Sequence, residues 1–272
     1  MDRGIGMVVL GSGSSGNSLL LRFGDECVLI DAGFSRKEML SRVAAAGVDP
    51  GTISALLITH DHSDHVKGAR VLADHLDIPT FATSSTFKTL VAKNLIGKKV
   101  EIFAPGGEFD AGPFRVRAFA VPHDALDPVG FVLTPSGADT PKVGVATDLG
   151  HLDNLVKARL AECDALVLEC NHDIAMLRAS DRALSLKRRI MGRFGHLNNE
   201  DSMEALGVLV RERTRHLVLY HLSGDCNDPS LVAELAEKRL LELERPDIKL
   251  TVAPRDEPSE TLWVLPWTTP GE

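Results

Sequence analysis

No apolar run in this 272-residue chain approaches the roughly 18 consecutive residues needed to cross a bilayer. Met1 to Gly6 lack a basic stretch leading into a long apolar one, so no secretory signal is expected. Cysteine is scarce: Cys27, Cys163, Cys170 and Cys226 are the only four, and none forms a C-x-x-C pair. In a chain of this size they read as reduced thiols rather than a disulfide framework. These absences together predict a cytoplasmic protein with no membrane partner. An excess of positive charge is also missing. The chain has 30 Lys and Arg against 38 Asp and Glu, a net charge of −8, with a pI near 5.7. That argues against a protein that coats nucleic acid broadly, but it allows an enzyme with a local basic groove. There is no low-complexity segment. Pro254 to Ser259 is the most linker-like stretch, yet apolar strand residues follow it, so one domain over 1–272 is expected.

Apolar residues make up 44% of the chain and charged residues 25%, enough for a substantial core. Strands are expected at 7–10, 18–23, 26–30, 53–59, 79–82, 100–103, 113–121, 129–134, 142–147, 165–169, 216–220, 249–253 and 261–265. Helices are expected from Ser35, which forms a capping box with Glu38, to Gly47, and at 66–76, 85–96, 151–161, 173–191, 199–213 and 229–244. A β-rich stretch followed by alternating helices and strands occurs twice. It predicts an α/β fold, a four-layer αββα sandwich built from two similar halves.

The informative segment is Ser54-Ala-Leu-Leu-Ile-Thr-His60-Asp61-His62-Ser63-Asp64-His65. An apolar strand runs into H-x-H-x-D-H. In extended backbone positions 60, 62 and 64 would share a face, and His65, opening a helix, would swing to the same cavity. Imidazole and carboxylate are borderline N/O donors suited to Zn²⁺, Mn²⁺ or Fe. Asp61 would point away from them. Three further donors close apolar runs: His123 after FRVRAFAVP, Asp148 after KVGVAT and His221 after HLVLY. Ligands at strand ends suit a rigid metal site. The formal match Gly11-x-Gly13-x-x-Gly16 leads into a strand rather than a helix, so it does not read as a dinucleotide site.

With GSGSSGNS near the N-terminus, LIDAG at 29–33, ECNHD at 169–173, GHLNNED at 195–201 and YHLSGDCN at 220–227, these motifs resemble the metallo-β-lactamase superfamily over essentially the whole chain. Within it they look like the WalJ (YycJ) branch of phosphodiesterases and DNA exonucleases, and more distantly like ribonuclease Z. The resemblance implies two divalent metal ions, zinc or manganese with iron possible. His60, His62 and His123 would hold one ion, Asp64, His65 and His221 the other, and Asp148 would bridge them. The implied chemistry is attack of a hydroxide, shared by the two ions, on a phosphodiester. His196 would serve the leaving oxygen, Glu169 would orient His196, and Asp64 would double as a base. The implied partner is nucleic acid or another phosphodiester, the alternative being a small cyclic phosphodiester or a thioester. Asp31 is expected to fix the loop beside the metals without being a ligand. His172 divides between site support and structure, while His75, His151 and His216 read as structural. Lys187, Arg188, Arg189 and Arg193 are candidates to line a phosphate path, and Arg211, Arg213 and Arg215 read as surface residues.

Overall fold

The computed structural model describes residues 4–266. Two seven-stranded sheets face each other. The first contains β1 (Ile5–Gly11), β2 (Ser18–Phe23), β3 (Glu26–Ile30), β4 (Ile53–Leu57), β5 (Thr80–Thr83) and β6 (Val100–Phe103), with the last strand, β14 (Leu262–Val264), on its outer edge against β1. The second contains β7 (Glu108–Ala111), β8 (Phe114–Ala120), β9 (Val129–Pro135), β10 (Val143–Ala146), β11 (Ala165–Glu169), β12 (His216–Tyr220) and β13 (Lys249–Val252).

The halves repeat one pairing scheme. Along the first sheet, starting at β14, three antiparallel pairings are followed by three parallel ones. The second sheet, starting at β7, does the same. The expected two similar halves are therefore present, with the C-terminal strand completing the first.

Side-chain alternation builds the layers. Met7, Leu19, Val28, Leu57, Val116, Phe131, Val167 and Val218 fill the space between the sheets. Their sequence neighbours Val8, Leu20 and Leu29 face outward under α1 (Arg36–Ala45), α3 (Ala69–Leu76) and α4 (Ser84–Ala92). Leu166, Leu168, Leu217 and Leu219 face outward under α5 (Asn154–Leu160), α8 (Asn199–Leu209) and α9 (Pro229–Glu242). Strands buried on both faces read as nearly continuous apolar runs, which is how they stood out in the sequence.

Some elements differ from expectation. β7 was not anticipated, because EFDA is short and only Ala111 is fully buried. The helical stretch 173–191 is two helices, α6 (Ile174–Ala179) and α7 (Leu184–Ile190), separated where Ser180 turns to an extended conformation. Its end carries Asp181 and Arg182 into a loop. The helix expected at 66–76 is likewise preceded by a separate turn, α2 (Ser63–Val66). Ser35 caps α1 by accepting from the Glu38 amide, but the Glu38 carboxylate reaches Arg42, so only half of the capping box forms. Gly47, at φ 71°, ends that helix as expected. Gly11, Gly13 and Gly16 join two strands with no helix following. No helix among the described residues is long and apolar enough to cross a membrane. All four cysteines are free and buried.

Candidate metal centre

The chemistry gathers at the carboxyl ends of the parallel strands, where α/β sheets commonly place ligand sites. Asp31 follows β3, Asp148 follows β10 and His221 follows β12, with φ of 61°, 54° and 60°. Non-glycine residues rarely take left-handed backbone, and three together mark places where the chain turns sharply off its strand. β4 ends at Leu57, two residues before the expected limit. Thr59 leaves the sheet because its amide and hydroxyl both donate to Asp31, at 2.9 and 2.7 Å.

From there the chain lays down its donors in turn. His60 is buried, and Asp61 turns away to pair with Lys93 at 2.8 Å. His62 precedes α2, whose single turn carries Asp64 and His65. The expectation that 60, 62 and 64 share an extended face therefore needs correcting at Asp64. A helical turn, not strand alternation, brings it in beside His65.

His60, His62 and His123 form one group of donors, with ring centroids 4.6 to 5.0 Å apart. Asp64, His65 and His221 form a second. Asp148 stands between them. Its Oδ2 is 3.2 Å from His65 Nε2, and its Oδ1 is 3.3 Å from His221 Nδ1 and 3.9 Å from His123 Nε2. Behind them Glu169, fully buried, accepts from His196 Nδ1 at 2.7 Å and His221 Nδ1 at 2.8 Å through one oxygen. Its other oxygen accepts the amides of Leu149 and Leu197. Burial works against the Glu169 carboxylate, yet the charge and hydrogen bond of His196 hold it down to about 2. Burial likewise opposes charge on His221, but Asp148, with the nearby Asp64 and Glu169 carboxylates, pushes it to about 10. His60 goes the other way. Burial first, then the His65, His123 and His62 rings, keep it well below its ordinary value.

The donor atoms suit divalent metal ions. The outer ring nitrogens are engaged: His60 Nδ1 with Thr59 Oγ1 at 3.0 Å, His65 Nδ1 with Asp31 at 2.7 Å, His123 Nδ1 with the Gly195 carbonyl at 3.1 Å and His221 Nδ1 with Glu169. This fixes the rings as supporting groups do around metals. The inner Nε2 atoms of His60 and His221 are buried with no hydrogen-bond partner among the described residues. His123 Nε2 and His62 Nδ1 face each other at 3.2 Å. Orphaned buried nitrogens are costly, and a cation among them removes that cost.

Several residues at the site were not assigned a role from the sequence. Asn17 places Nδ2 3.2 Å from Asp64 Oδ2 and 3.1 Å from His65 Nε2, closing the glycine-rich loop over the second donor group. Gly33 passes so near that a Cβ there would lie 1.8 Å from the Asp64 carbonyl oxygen. Asp124 Oδ1 lies 3.4 Å from His123 Nε2. Its position directly after a candidate ligand was the one available hint.

The donors open into a cleft of about 320 Å³, lined by Asp64, Asp148, His196 and His221, and also by Arg182 and Arg189. Of the basic run, only Arg189 reaches it. Lys187 is spent on the Arg178 and Ser180 carbonyls, while Arg188 and Arg193 are exposed elsewhere. His172 is fully buried and its Nδ1 lies 3.3 Å from Asn171 Oδ1, while Asn171 in turn holds the His221 carbonyl. His75 and His216 lie away from the cleft, and His151 contacts the Arg193 carbonyl. Arg213 is not a free surface residue. It makes a two-pronged pair with buried Asp164.

Two facing sheets under outer helices, with histidine and aspartate donors gathered at one edge, define a hydrolase of the metallo-β-lactamase fold. The family model described as beta-lactamase superfamily domain matches residues 26–222, and the chain belongs to that family. It is 35% identical over 243 residues to exodeoxyribonuclease YycJ of Bacillus anthracis, spanning 88% of this chain and 90% of that protein. It is 33% identical over 237 residues to exodeoxyribonuclease WalJ of Streptococcus pneumoniae, spanning 86% of each. The solved metallo-beta-lactamase fold protein YhfI of Bacillus subtilis superposes with a TM-score of 0.69 at 17% identity, covering 94% of this chain and 99% of that one.

Proposed function

We propose that this protein is a dinuclear, metal-dependent phosphodiesterase that shortens nucleic acid strands, an exonuclease of the WalJ kind. The observation that carries the reading is the convergence of two donor groups on Asp148, with the inner nitrogens of His60 and His221 left without partners. His60, His62 and His123 would hold one ion, Asp64, His65 and His221 the other, and Asp148 both. Zinc and manganese suit these donors best. Bound ions would supply a nucleophilic hydroxide near neutral pH and would offset charge on the phosphoryl oxygens.

The chain's own groups supply the rest. Asp64 lines the cleft, held by Asn17, where it can take a proton from the attacking water. Glu169 orients His196 through Nδ1, which leaves the opposite ring nitrogen available to protonate the leaving oxygen. The relatives named exodeoxyribonucleases support nucleic acid as the substrate.

The test is to offer metal-loaded protein 5′-labelled oligonucleotides alongside bis-p-nitrophenyl phosphate. Release of nucleotides from strand ends is expected. Turnover of the small ester with no nucleotide released from any strand would overturn the nuclease reading. His196→Ala should abolish turnover while keeping bound metal. A fall in metal stoichiometry would instead make His196 a ligand.

A further inference from the structure

Two arginines stand at opposite ends of the donor set. Arg182, in the loop between α6 and α7, donates to Asp225 at 3.1 Å and to Ser223 at 3.3 Å, two residues beyond His221. Arg189, near the end of α7, donates through Nε to Asp124, whose other oxygen faces His123 and His62. Both side chains line the cleft beside Asp148 and His196. The Arg182 side chain is 24% exposed and that of its partner Asp225 60%, while the Arg189 side chain is 57% exposed. The Arg189 pair is open to water and contributes little stability, and the forked Arg182 pair rests on a solvated aspartate, so a phosphate can take the place of either carboxylate. Among the described residues' hydrogen bonds, Arg189 donates only through Nε, so its two terminal amines remain unspent.

The spacing suits a chain of phosphates. Arg182 lies two residues before α7 and Arg189 is the sixth residue of that helix, so the backbone rises about 8 Å from the helix start to Arg189. A strand whose scissile phosphate sits at Asp148 would carry its neighbouring phosphates outward on both sides. Guanidinium is the side chain best matched to a phosphate, by charge and by its forked donors. In a protein of net charge −8, two such groups at the mouth of an otherwise acidic cleft are a local exception.

Resting on the nuclease reading above, we infer that Arg182 and Arg189 bind the phosphates on either side of the scissile one, and that they set the preference for a polynucleotide over a single phosphodiester. Asp225 and Asp124 hold the two guanidiniums in place until substrate arrives. Arg188, exposed on the same helix but outside the cleft, has no part in this.

The experiment uses the full-length, metal-loaded protein and a fluorescein-labelled, phosphorothioate-linked oligonucleotide that resists cleavage, with binding followed by anisotropy across a salt series. Arg182→Ala and Arg189→Ala should each weaken binding roughly tenfold and lower the slope of log Kd against log salt by about one. KM for a cleavable strand should rise in parallel, with a smaller effect on kcat. Arg188→Ala, which removes the same charge from the same helix, should leave affinity and slope as they were. Metal content and Tm of each variant show whether it folds, and Arg189→Lys, which keeps the charge without the fork, should recover part of the slope. If the native protein cleaves strands while the two cleft variants match it in affinity and slope, or if Arg188→Ala loses as much, the inference is wrong and the nuclease reading survives. If the native protein neither binds nor cleaves oligonucleotides but hydrolyses the small ester, both fall.

Discussion

Asp31 Oδ2 accepts the Nδ1 proton of His65 at 2.7 Å, and the same carboxylate ties down Thr59 at the end of β4. One buried acid thus sets the ring orientation of a candidate ligand and the exit direction of the strand that delivers the others. Burial disfavours charge on His65, yet Asp148 and Asp31 hold its pKa well above the ordinary value. Replacing Asp31 with Asn should weaken divalent metal binding by about 10- to 100-fold, the usual effect of losing a group that orients a ligand. Titration of the metal-free protein with Zn²⁺ or Mn²⁺ would show it, and unchanged affinity would remove Asp31 from this role.

Glu169 holds His196 and His221 through a single oxygen, so its loss should disturb both. Glu169→Gln keeps the shape but removes the charge and one acceptor. A fall in kcat of about 100-fold is expected, with a smaller drop in metal content, because His221 keeps Asp64 and Asp148 within 3.5 Å. Full activity in Glu169→Gln would show that the carboxylate orients nothing that matters.

Metal should stabilise the fold as well as activate it. A bound cation would satisfy the Nε2 atoms of His60 and His221, which have no hydrogen-bond partner among the described residues. Metal at about 100 times its Kd contributes about 2.7 kcal/mol, or a rise in Tm of roughly 5–10 °C. Chelation should reverse the rise and abolish turnover, and metal re-addition should restore both. His60→Ala and His221→Ala should each lower the metal count from about two per chain towards one. A single metal in the native protein would refute the dinuclear proposal.

The cysteines should be inert in the folded protein. Burial pushes the Cys163 and Cys170 thiols up to about 12 from an ordinary 9.0, and Cys27 is raised as well. All four are fully buried. A thiol-reactive dye should label none of them between pH 7 and 9, and all four once the chain is unfolded. Rapid labelling of native protein would show that one of these packed regions opens.

Gly33 is the most sterically constrained residue of the site. Ala there would press its Cβ against the Asp64 carbonyl and the Asn17 amide. Gly33→Ala should lower Tm by about 5 °C or more and displace Asp64, costing metal and activity together. Retained metal with a lowered Tm would confine its role to packing.

The His60–His65 cluster was legible because six consecutive residues carry most of the donors and an apolar strand announces them. His123, Asp148 and His221 were legible as polar residues ending apolar runs. The layers were legible because the central strands, such as β1, β3, β10 and β11, are buried on both faces. Asp64 was harder, since α2 is one turn long and its helical backbone leaves no periodic trace. Asn17 and Arg182 escaped for another reason. Each acts on a partner brought close only by packing, and in Arg182 nothing local separates a cleft residue from a solvated one.

What the amino-acid order settled alone is therefore the kind of chemistry and the elements that frame it, since both depend on local pattern and residue type. Packing decided which arginines reach the cleft and which carboxylate holds two imidazoles. It also decided which ring nitrogens are left without partners, because those facts depend on distances between segments far apart in the chain, as Ser12 and His221 are at 209 residues.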